Sequence, residues 1–525
     1  MAIRYKPSRF DSLRKFIKEY RRTRLGVIGI GIIIFFVLIA LAAPLLSSNN
    51  PVTTTDLSGS YSIPAWARIF PQYTNTPVNT YLISGNGLST QSTLQGWKIT
   101  VRPSSTSPPP LNYQVTPSGL LVNFSKAKSS STVLPIFATS SIPTIVLNQT
   151  IAYPWTYTCD FSAGISVIPL SENLTTSQLT IDMYITSVTG RVYHIDSPNV
   201  YTNPADVYQH LTSFNKGTTY SITANGKDNL VSSLALASSS GVNVIRTGCG
   251  LPQDIFSNPG NITISYVIAS SVPSTIMLSN PSIFVQGQAY GNLGTDLLGR
   301  DVWAQFLYGA RTSLEVGLLA AIVAVLIGTL VGLVAGYSGG WIDEGLMRFN
   351  DFVLILPFLP LLLVLLILID LSNLSTVLNP ELVILLLIAF FSWSGIARII
   401  RAQVLSVRER PYVEASRALG AKDRHIIWKH VLPNVMGLVY ANMALTVPAA
   451  ILTEAAVTFL GFGSPSIISW GTMLSSAREA FTSTQHSFVW WYFFPPGIAI
   501  ALLSMSFIFV GFSLDSVLNP RLRQR

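Results

Sequence analysis

The sequence predicts an all-α polytopic membrane protein of six transmembrane helices, with a β-rich domain inserted after the first helix. Hydrophobic residues make up 49% of the 525 residues, and charged residues make up only 11%. The apolar residues occur in blocks near or above the roughly 20 residues that a helix needs to cross a bilayer core. None of these blocks shows the period-two alternation of a barrel strand. The predicted spans are residues 25–46, 313–337, 349–369, 382–400, 435–460 and 493–514.

The chain before the first span, residues 1–24, is basic and amphipathic, with nine Lys and Arg residues against two acids. Its apolar residues share one helical face, which predicts a helix lying in the membrane interface. The first span could instead be a cleaved signal peptide, because Ala40 and Ala42 imitate a cleavage site. Its apolar stretch is longer than a typical signal core, which favours an anchor.

The basic residues near the helix ends predict the orientation, because cytoplasmic loops carry an excess of Lys and Arg. Residues 398–430 carry eight Lys and Arg against three acids, whereas residues 371–380 carry none. Six spans with both termini in the cytoplasm satisfy these counts and place residues 47–290 outside it. The sequence therefore predicts a multi-pass protein of the cell membrane. The net charge of +9 is explained by this topology, and no basic folded domain suggests nucleic-acid binding.

Residues 47–290 have a different composition, rich in Ser, Thr, Asn and Pro. Short β-like stretches alternate there with turn residues, which favours a β-sandwich-like domain. The predicted strands are residues 120–124, 144–152, 165–169, 179–187 and 261–272.

Two features of this domain suit an extracytoplasmic location. Cys159 and Cys249 are the only cysteines, and a disulfide between them would close a long loop in an oxidising compartment. Two buried free thiols are the alternative. The domain also contains four Asn-x-Ser/Thr sequons, which are candidate glycosylation sites if the host glycosylates proteins. They begin at Asn123, Asn148, Asn173 and Asn261.

The basic loop of residues 401–434 predicts two short helices joined at a glycine. Pro411 suits the first turn of the first helix, where a missing N–H costs nothing. Gly420 can take the positive φ that ends a helix. Asp423 is a candidate cap for the second helix, which we expect Pro433 to stop. An amphipathic helix pair lying on the membrane surface is the alternative interpretation.

The run Glu414-Ala-Ser-Arg-Ala-Leu-Gly420, followed by Leu432-Pro433, resembles the EAA loop of ABC-type importer permeases. Here Ser416 replaces the second Ala of that pattern, and His430 stands where it often has Ile. In that family the loop is the cytoplasmic coupling helix, which docks into a groove on a separate ATPase subunit. The residues that the resemblance assigns to this contact are Glu414, Ala415, Ser416, Gly420, His430, Leu432 and Pro433.

Further motifs resemble the second, C-type membrane subunit of the dipeptide/oligopeptide permeases. They are Leu293-Gly-Thr-Asp-Leu-Leu-Gly-Arg-Asp301, Tyr308-Gly-Ala-Arg-Thr-Ser313, Gly336-Tyr-Ser-Gly-Gly-Trp341 and Ser469-Trp-Gly471. The resemblance covers the first span and the chain from about residue 290 to the end. It implies a type I ABC importer-like permease core in residues 291–525, which holds spans two to six and the coupling loop. The chain departs from the family in its closing pattern and in the length of residues 47–290.

The resemblance also implies the partners: a homologous permease subunit, two ABC ATPase subunits, an extracytoplasmic substrate-binding protein and the lipid bilayer. ATP and Mg would be bound by the ATPases, and no cofactor by this chain. Di- and oligopeptides are the expected substrates, with oligosaccharides as the alternative. The sequence has no Gly-x-x-x-x-Gly-Lys-Ser/Thr loop, no nucleophile elbow and no metal-ligand spacing, which favours a transport subunit over an enzyme.

Glu454 is an ionisable residue within a predicted span, and such residues usually face the protein interior or water. It is a candidate for the translocation pathway, and an interhelical hydrogen bond is the alternative role. Pro357 and Pro448 are further pathway candidates, because they are expected to kink their helices. A membrane-anchored receptor or adhesion protein is the alternative of a different class, but it leaves the motifs of residues 293–301 and 414–434 unexplained.

Overall fold

The structure is a computed structural model, and it forms two compact units. It describes residues 18–55, 57–84, 88–90, 93–102, 111–125, 142–155, 158, 160–171, 173–175, 178–195, 200–201, 213–225, 231–233, 255–256, 258–372, 379–464, 467–482 and 489–518. One unit, the β unit, spans Asp56–Arg300, and the chain on either side of it forms the helical unit. The combination of a helical part with an inserted β-rich part confirms the predicted fold class.

The helical unit contains long apolar helices joined by short connections. Its helices are α1 (Arg24–Leu46), α2 (Val302–Ser338), α3 (Gly340–Ile355), α4 (Phe358–Leu371), α5 (Pro380–Arg408), α6 (Pro411–Ala418), α7 (Asp423–Ile426), α8 (Leu432–Val457), α9 (Trp470–Thr482) and α10 (Trp490–Leu518). Two π-helical turns, Ile427–Val431 and Thr458–Phe462, precede and follow α8. Among the described residues, five helical segments are long and apolar enough to cross a membrane, or six if α3 and α4 together form one span.

The third predicted span, residues 349–369, is not one continuous helix. α3 and α4 meet at an angle of 83°. Leu356, at the break, is extended with φ −65° and ψ 132°, which is the conformation that a residue before proline prefers. Pro357 therefore separates two helices, whereas Pro448 lies inside α8 and the helix continues through it.

Glycines bring α2 and α5 into close contact. A Cβ atom on Gly328 would lie 2.7 Å from the carbonyl oxygen of Trp393, and one on Gly332 would lie 2.7 Å from that of Ala397. At Gly336 it would lie 2.8 Å from the Cβ of Val404. Glycines spaced four residues apart share one helix face, and small residues there let two backbones approach closely. The glycine face of α2 therefore fixes this helix against α5.

The β unit is built from antiparallel strands. They are β1 (Thr80–Ile83), β2 (Trp97–Arg102), β3 (Leu111–Thr116), β4 (Gly119–Phe124), β5 (Thr144–Tyr153), β6 (Asp160–Pro169), β7 (Leu174–Thr175), β8 (Leu179–Thr186), β9 (Val192–Ile195), β10 (Val200–Tyr201), β11 (Ser213–Phe214), β12 (Tyr220–Asn225), β13 (Val231–Ser233), β14 (Gly260–Ser270) and β15 (Ser274–Gln286). Short 3-10 turns lie at Ala65–Ile69, Pro71–Tyr73 and Thr93–Gly96.

Most of these strands form two large sheets around one apolar core, and β7 and β11 pair separately as a two-stranded sheet. One sheet has the order β10-β12-β6-β15-β4-β3, with β1 also paired to β15, and the other has the order β13-β9-β8-β14-β5-β2. Apolar side chains from both sheets, such as Ile165 of β6 and Ile264 of β14, are buried in a single cluster. The hydroxyl of Tyr266 in β14 also donates to the carbonyl oxygen of Gly164 in β6 at 2.9 Å. This hydrogen bond joins the two sheets across the core.

Each of the five predicted strands corresponds to a strand of the structure, namely β4, β5, β6, β8 and β14. The sequence did not predict β15. This strand has 13 residues and pairs with β1, β4 and β6. Asn280 has a φ of 50° there, and the pairing with β6 shifts between Ser279 and Ser282. This bulge accommodates Pro281, a residue that argues against a central strand in a sequence.

The predicted sites of the β unit differ in their exposure. Asn123, Asn173 and Asn261 are exposed, whereas Asn148 is half-buried in β5, which lies between β2 and β14. The glycosylation of these residues stays a prediction. Cys159 and Cys249 lie outside the described residues, so the disulfide also stays a prediction.

The motif of residues 293–301 forms a tight turn before α2. A Cβ atom on Gly294, which has a φ of 70°, would overlap the carbonyl oxygen of Ser62. The carboxylate of Asp296 accepts the backbone N–H of Arg300 at 2.9 Å and pairs with its guanidinium at 2.6 Å. Asp301 caps α2 by accepting the N–H of Trp303 at 2.9 Å. Gly294 and Asp296 therefore stabilise the turn, and Asp301 stabilises the start of α2.

Candidate functional site

The residues of the EAA motif lie in residues 411–433, which comprise α6, α7, the first π turn and the start of α8 and which we call the EAA segment. Pro411 lies in the first turn of α6, as its fixed φ and missing N–H predict. After α6, Gly420 has a φ of 80°, and its N–H donates to the carbonyl oxygen of Arg417 at 3.0 Å. The prediction that this glycine takes a positive φ at the end of the first helix is confirmed.

The second half of the segment differs from the prediction. Lys422, rather than Asp423, is the extended residue before α7, and Asp423 is the first helical residue. Pro433 does not stop the helix. The N–H of Leu432 donates to the carbonyl oxygen of Ile427, five residues back, and this π turn carries the helix into α8. Pro433 therefore lies directly after the π turn, near the start of α8, in a helix that continues through it.

One face of the EAA segment is buried against the helical unit. Val413, Ile426 and Val431 are fully buried in a cluster that includes Val404 of α5 and Val435 of α8. The apolar face of this helix pair is therefore occupied by the chain's own helices. This arrangement does not fit the alternative of a helix pair that uses its apolar face to lie on a membrane surface.

The opposite face of the segment is exposed. The motif residues Glu414, Ala415 and Gly420 lie there, as does Pro433, whereas Ser416, His430 and Leu432 are half-buried. Two large apolar side chains that the sequence reasoning missed are also exposed: Leu419 is 88% exposed and Trp428 is 61% exposed. In the sequence, these two residues stand out as large apolar residues within a charged segment. Large apolar side chains that are exposed often mark a contact surface.

Tyr337, near the end of α2, connects that helix to the EAA segment. Its hydroxyl donates to the carboxylate of Asp423 at 2.6 Å, and the guanidinium carbon of Arg417 lies 5.7 Å from its ring centroid. A side-chain hydrogen bond to Tyr337 also raises the pKa of Arg417 above its ordinary value. Arg408 of α5 donates to the carbonyl oxygens of Gly336 and Tyr337 at 3.3 and 3.2 Å. The end of α2 is therefore bound from two sides.

Two ion pairs join α3 to α5. The guanidinium of Arg401 binds both carboxylate oxygens of Asp343, at 2.5 and 2.6 Å. The guanidinium of Arg398 contacts Asp351 at 2.5 Å. Arginine suits such contacts because its planar guanidinium matches the two oxygens of a carboxylate.

Within the described chain, no group of three His, Cys, Asp or Glu side chains could hold a metal ion.

Glu454 lies in α8 and is only 2% exposed. The hydroxyl of Ser313 in α2 donates to its carboxylate at 3.3 Å, and Thr458 lies within hydrogen-bond distance of it at 3.4 Å. Ser313 also accepts the backbone N–H of Trp470 at 3.2 Å. The contact between Ser313 and Glu454 is therefore an interhelical hydrogen bond, the role that is the alternative to a place in the translocation pathway.

A small cleft adjoins this carboxylate. Glu454 lines it together with polar residues such as Thr312, Glu381 and Ser469 and apolar residues such as Val316 and Ile384. The three pathway candidates have different environments: Glu454 and Pro448 are buried in α8, whereas Pro357 is exposed at the bend between α3 and α4. A role in the pathway stays a prediction for all three.

The sequence is similar to known transport proteins. Residues 328–524 match the family described as binding-protein-dependent transport system inner membrane component, and residues 12–64 match the N-terminal TM domain of oligopeptide transport permease C. The dipeptide transport system permease protein DppC of Bacillus subtilis (strain 168) is 41% identical over 233 residues, which are 44% of this chain and 69% of that protein. The oligopeptide transport system permease protein OppC of the same organism is 40% identical over 234 residues, 44% of this chain and 72% of that protein.

Two solved structures are also similar, at lower identity. The methionine ABC transporter MetNI in inward-facing conformations matches with a TM-score of 0.32 and 17% identity, over 42% of this chain and 97% of that one. An amino acid ABC transporter crystallised with histidines matches with a TM-score of 0.29 and 21% identity, over 42% of this chain and 94% of that one.

Proposed function

This chain belongs to the dipeptide/oligopeptide ABC permease family, and we propose that it is the membrane subunit through which an ATP-driven importer passes peptides. The observation that carries the proposal is the EAA segment, which is fixed on one face and exposed on the other. A protein that converts ATP hydrolysis on another subunit into its own movement needs such a surface, because force must enter through a rigid contact.

The exposed face has the properties of a helix that docks into a groove. Ala415 and Gly420 are small enough for close approach, and Glu414 supplies a charge that orients the contact. Trp428 is of a residue type that often dominates the binding energy of interfaces, and Leu419 adds exposed apolar area. The proposed partner on this face is an ATPase subunit, which also binds the ATP and Mg.

The complete importer would contain a homologous permease, two ATPases and an extracytoplasmic substrate-binding protein. Contact with ATPases requires the EAA segment to lie in the cytoplasm. The excess of Lys and Arg in residues 1–24 and 398–430 supports the same orientation. Both termini would then be cytoplasmic and the β unit extracytoplasmic, and we propose that the β unit receives or shields the docked binding protein.

Movement would pass from the ATPases into the membrane through the EAA segment, which is continuous in the chain with α5 and α8. When the ATPases close on ATP, a displacement of the segment would reorient these helices and switch the pore between its inward- and outward-facing states. Because similar proteins are dipeptide and oligopeptide permeases, the proposed substrates are peptides rather than oligosaccharides. The receptor or adhesion alternative gains no support from this family membership.

The test is purification of the chain from native membranes in mild detergent, with mass spectrometry of the retained proteins. We expect two ATPases, a sister permease and a secreted binding protein, and uptake of labelled peptides by the complex in proteoliposomes. Leu419→Glu should lose the ATPases because it replaces an exposed apolar side chain of the contact with a negative charge. Leu170→Glu, a change at an exposed position of the β unit, is the matched control. Retention of the ATPases by Leu419→Glu would refute the docking surface, and uptake of oligosaccharides but not peptides would refute the substrate class.

A further inference from the structure

α2 meets the EAA segment through side chains, whereas α5 and α8 are continuous with it in the chain. The main contact on the α2 side is Tyr337, which is 6% exposed. Its hydroxyl binds Asp423 at the start of α7, and its ring faces the guanidinium of Arg417 in α6. One tyrosine therefore touches both helices of the segment.

The buried carboxylate contacts α2 in the N-terminal half of that helix. Ser313, about 24 residues before Tyr337, donates to Glu454 of α8 at 3.3 Å. The two positions are roughly 36 Å apart along the helix at a rise of about 1.5 Å per residue. Between them, Gly328, Gly332 and Gly336 hold α2 closely against α5, which limits bending over that part of the helix.

We propose that Tyr337 is a positioning residue that makes α2 follow the EAA segment, so that movement of the segment reaches the Ser313–Glu454 contact in the N-terminal half of α2. This inference rests on the proposed function, and it adds α2 to the helices that the ATPases move. The hydroxyl is the directional part of the link, because a hydrogen bond to a carboxylate is stronger than one between neutral groups. The apolar contacts of the ring remain when the hydroxyl is removed.

The decisive variant is Tyr337→Phe, in the complete importer reconstituted in proteoliposomes. We expect at least about fivefold less peptide transported per ATP hydrolysed, since a hydrogen bond to a charged group shifts an equilibrium by roughly tenfold or more. Assembly, thermal stability and basal ATPase activity should remain close to wild type, because the phenyl ring still fills the site. Hydrogen exchange of residues 421–427 should be faster, because α7 has lost its anchor on α2. Tyr440→Phe removes an exposed hydroxyl from α8 and should change none of these quantities.

A double-mutant cycle separates this link from a general structural role. If the hydroxyl and the carboxylate act as one unit, Tyr337→Phe combined with Asp423→Ala should transport no less peptide per ATP than Asp423→Ala alone. A loss in the double variant equal to the product of the two single losses would overturn the inference. Wild-type transport per ATP in Tyr337→Phe would overturn it as well. Failure of Tyr337→Phe to assemble would also overturn it, because the residue would then be structural. A wild-type complex that hydrolyses ATP but carries no peptide would overturn the proposed function itself, whereas a negative result for Tyr337 alone leaves that function intact.

Discussion

The close packing of α2 on α5 predicts that Gly332→Ala destabilises the helical unit. The added Cβ would lie 2.7 Å from the carbonyl oxygen of Ala397 and 2.9 Å from the Cβ of Ile400. Carbon atoms in ordinary contact are about 3.5–4.0 Å apart, so the two helices would have to separate by roughly 1 Å. Overpacking of this kind costs about 1–3 kcal/mol, and the higher helix propensity of Ala returns about 1 kcal/mol. The expected net loss is therefore up to about 2 kcal/mol.

The measurement is thermal unfolding of the detergent-solubilised protein, followed by tryptophan fluorescence. A loss of up to about 2 kcal/mol should lower the apparent Tm by up to roughly 8 °C, and Gly332→Leu should lower it further. Gly31→Ala in α1 is the matched control, because among the described residues no neighbouring atom lies within 4 Å of its added Cβ. We expect it to be neutral or slightly stabilising. An apparent Tm for Gly332→Ala equal to that of Gly31→Ala would refute the reasoning.

Three further predictions follow from single residues. Glu454→Gln can still accept a hydrogen bond from Ser313, whereas Glu454→Leu leaves the buried hydroxyl of Ser313 without that acceptor, at a cost of about 1–3 kcal/mol; equal unfolding temperatures for the two variants would contradict this. Gly420→Val forces a β-branched residue to a φ of 80°, at a strain of about 1–2 kcal/mol, and should leave an inserted protein with reduced ATP-driven uptake; full uptake would show that the turn is not needed. Burial raises the pKa of Tyr266 above its ordinary value of 10.0, so the stability due to its neutral hydroxyl is present below pH 10 and lost as the pH rises further. Circular dichroism of the β unit should therefore show a steeper alkaline loss in the wild type than in Tyr266→Phe, and parallel profiles would contradict it.

The spans were predictable because each depends on a local property, the apolar content of about 20 consecutive residues. The break within the third span depends on one residue pair. Leu356 takes an extended conformation before Pro357, and the two halves diverge at 83°. Hydropathy alone cannot distinguish this break from a kink, because both halves remain apolar. The same limit applies at Pro433, where a π turn lets the helix continue through a proline expected to end it.

The contacts of the candidate site were less predictable because they join distant parts of the chain. The sequence identified the EAA segment by its motif, and Gly420 by the conformation that its turn requires. It gave no sign that Tyr337 would meet Asp423, 86 residues further along. It also could not rank the exposed residues of the segment, because exposure depends on which face the buried valines occupy. That Leu419 and Trp428 face outward became evident only from the packing.

The motifs that identify the family divide physically into buried and exposed groups. Ser313 and Trp470 belong to separate motifs, yet together with Glu454 they form one hydrogen-bonded cluster between α2, α8 and α9. Gly471 allows close packing at the same place, because a Cβ there would overlap the hydroxyl of Thr458. These residues explain how the helices are held together and require no ligand. The exposed part of the EAA segment makes no comparable contribution to the packing of this chain, so its composition is better explained by a partner. For that reason, the functional proposal rests on the EAA segment rather than on the buried carboxylate.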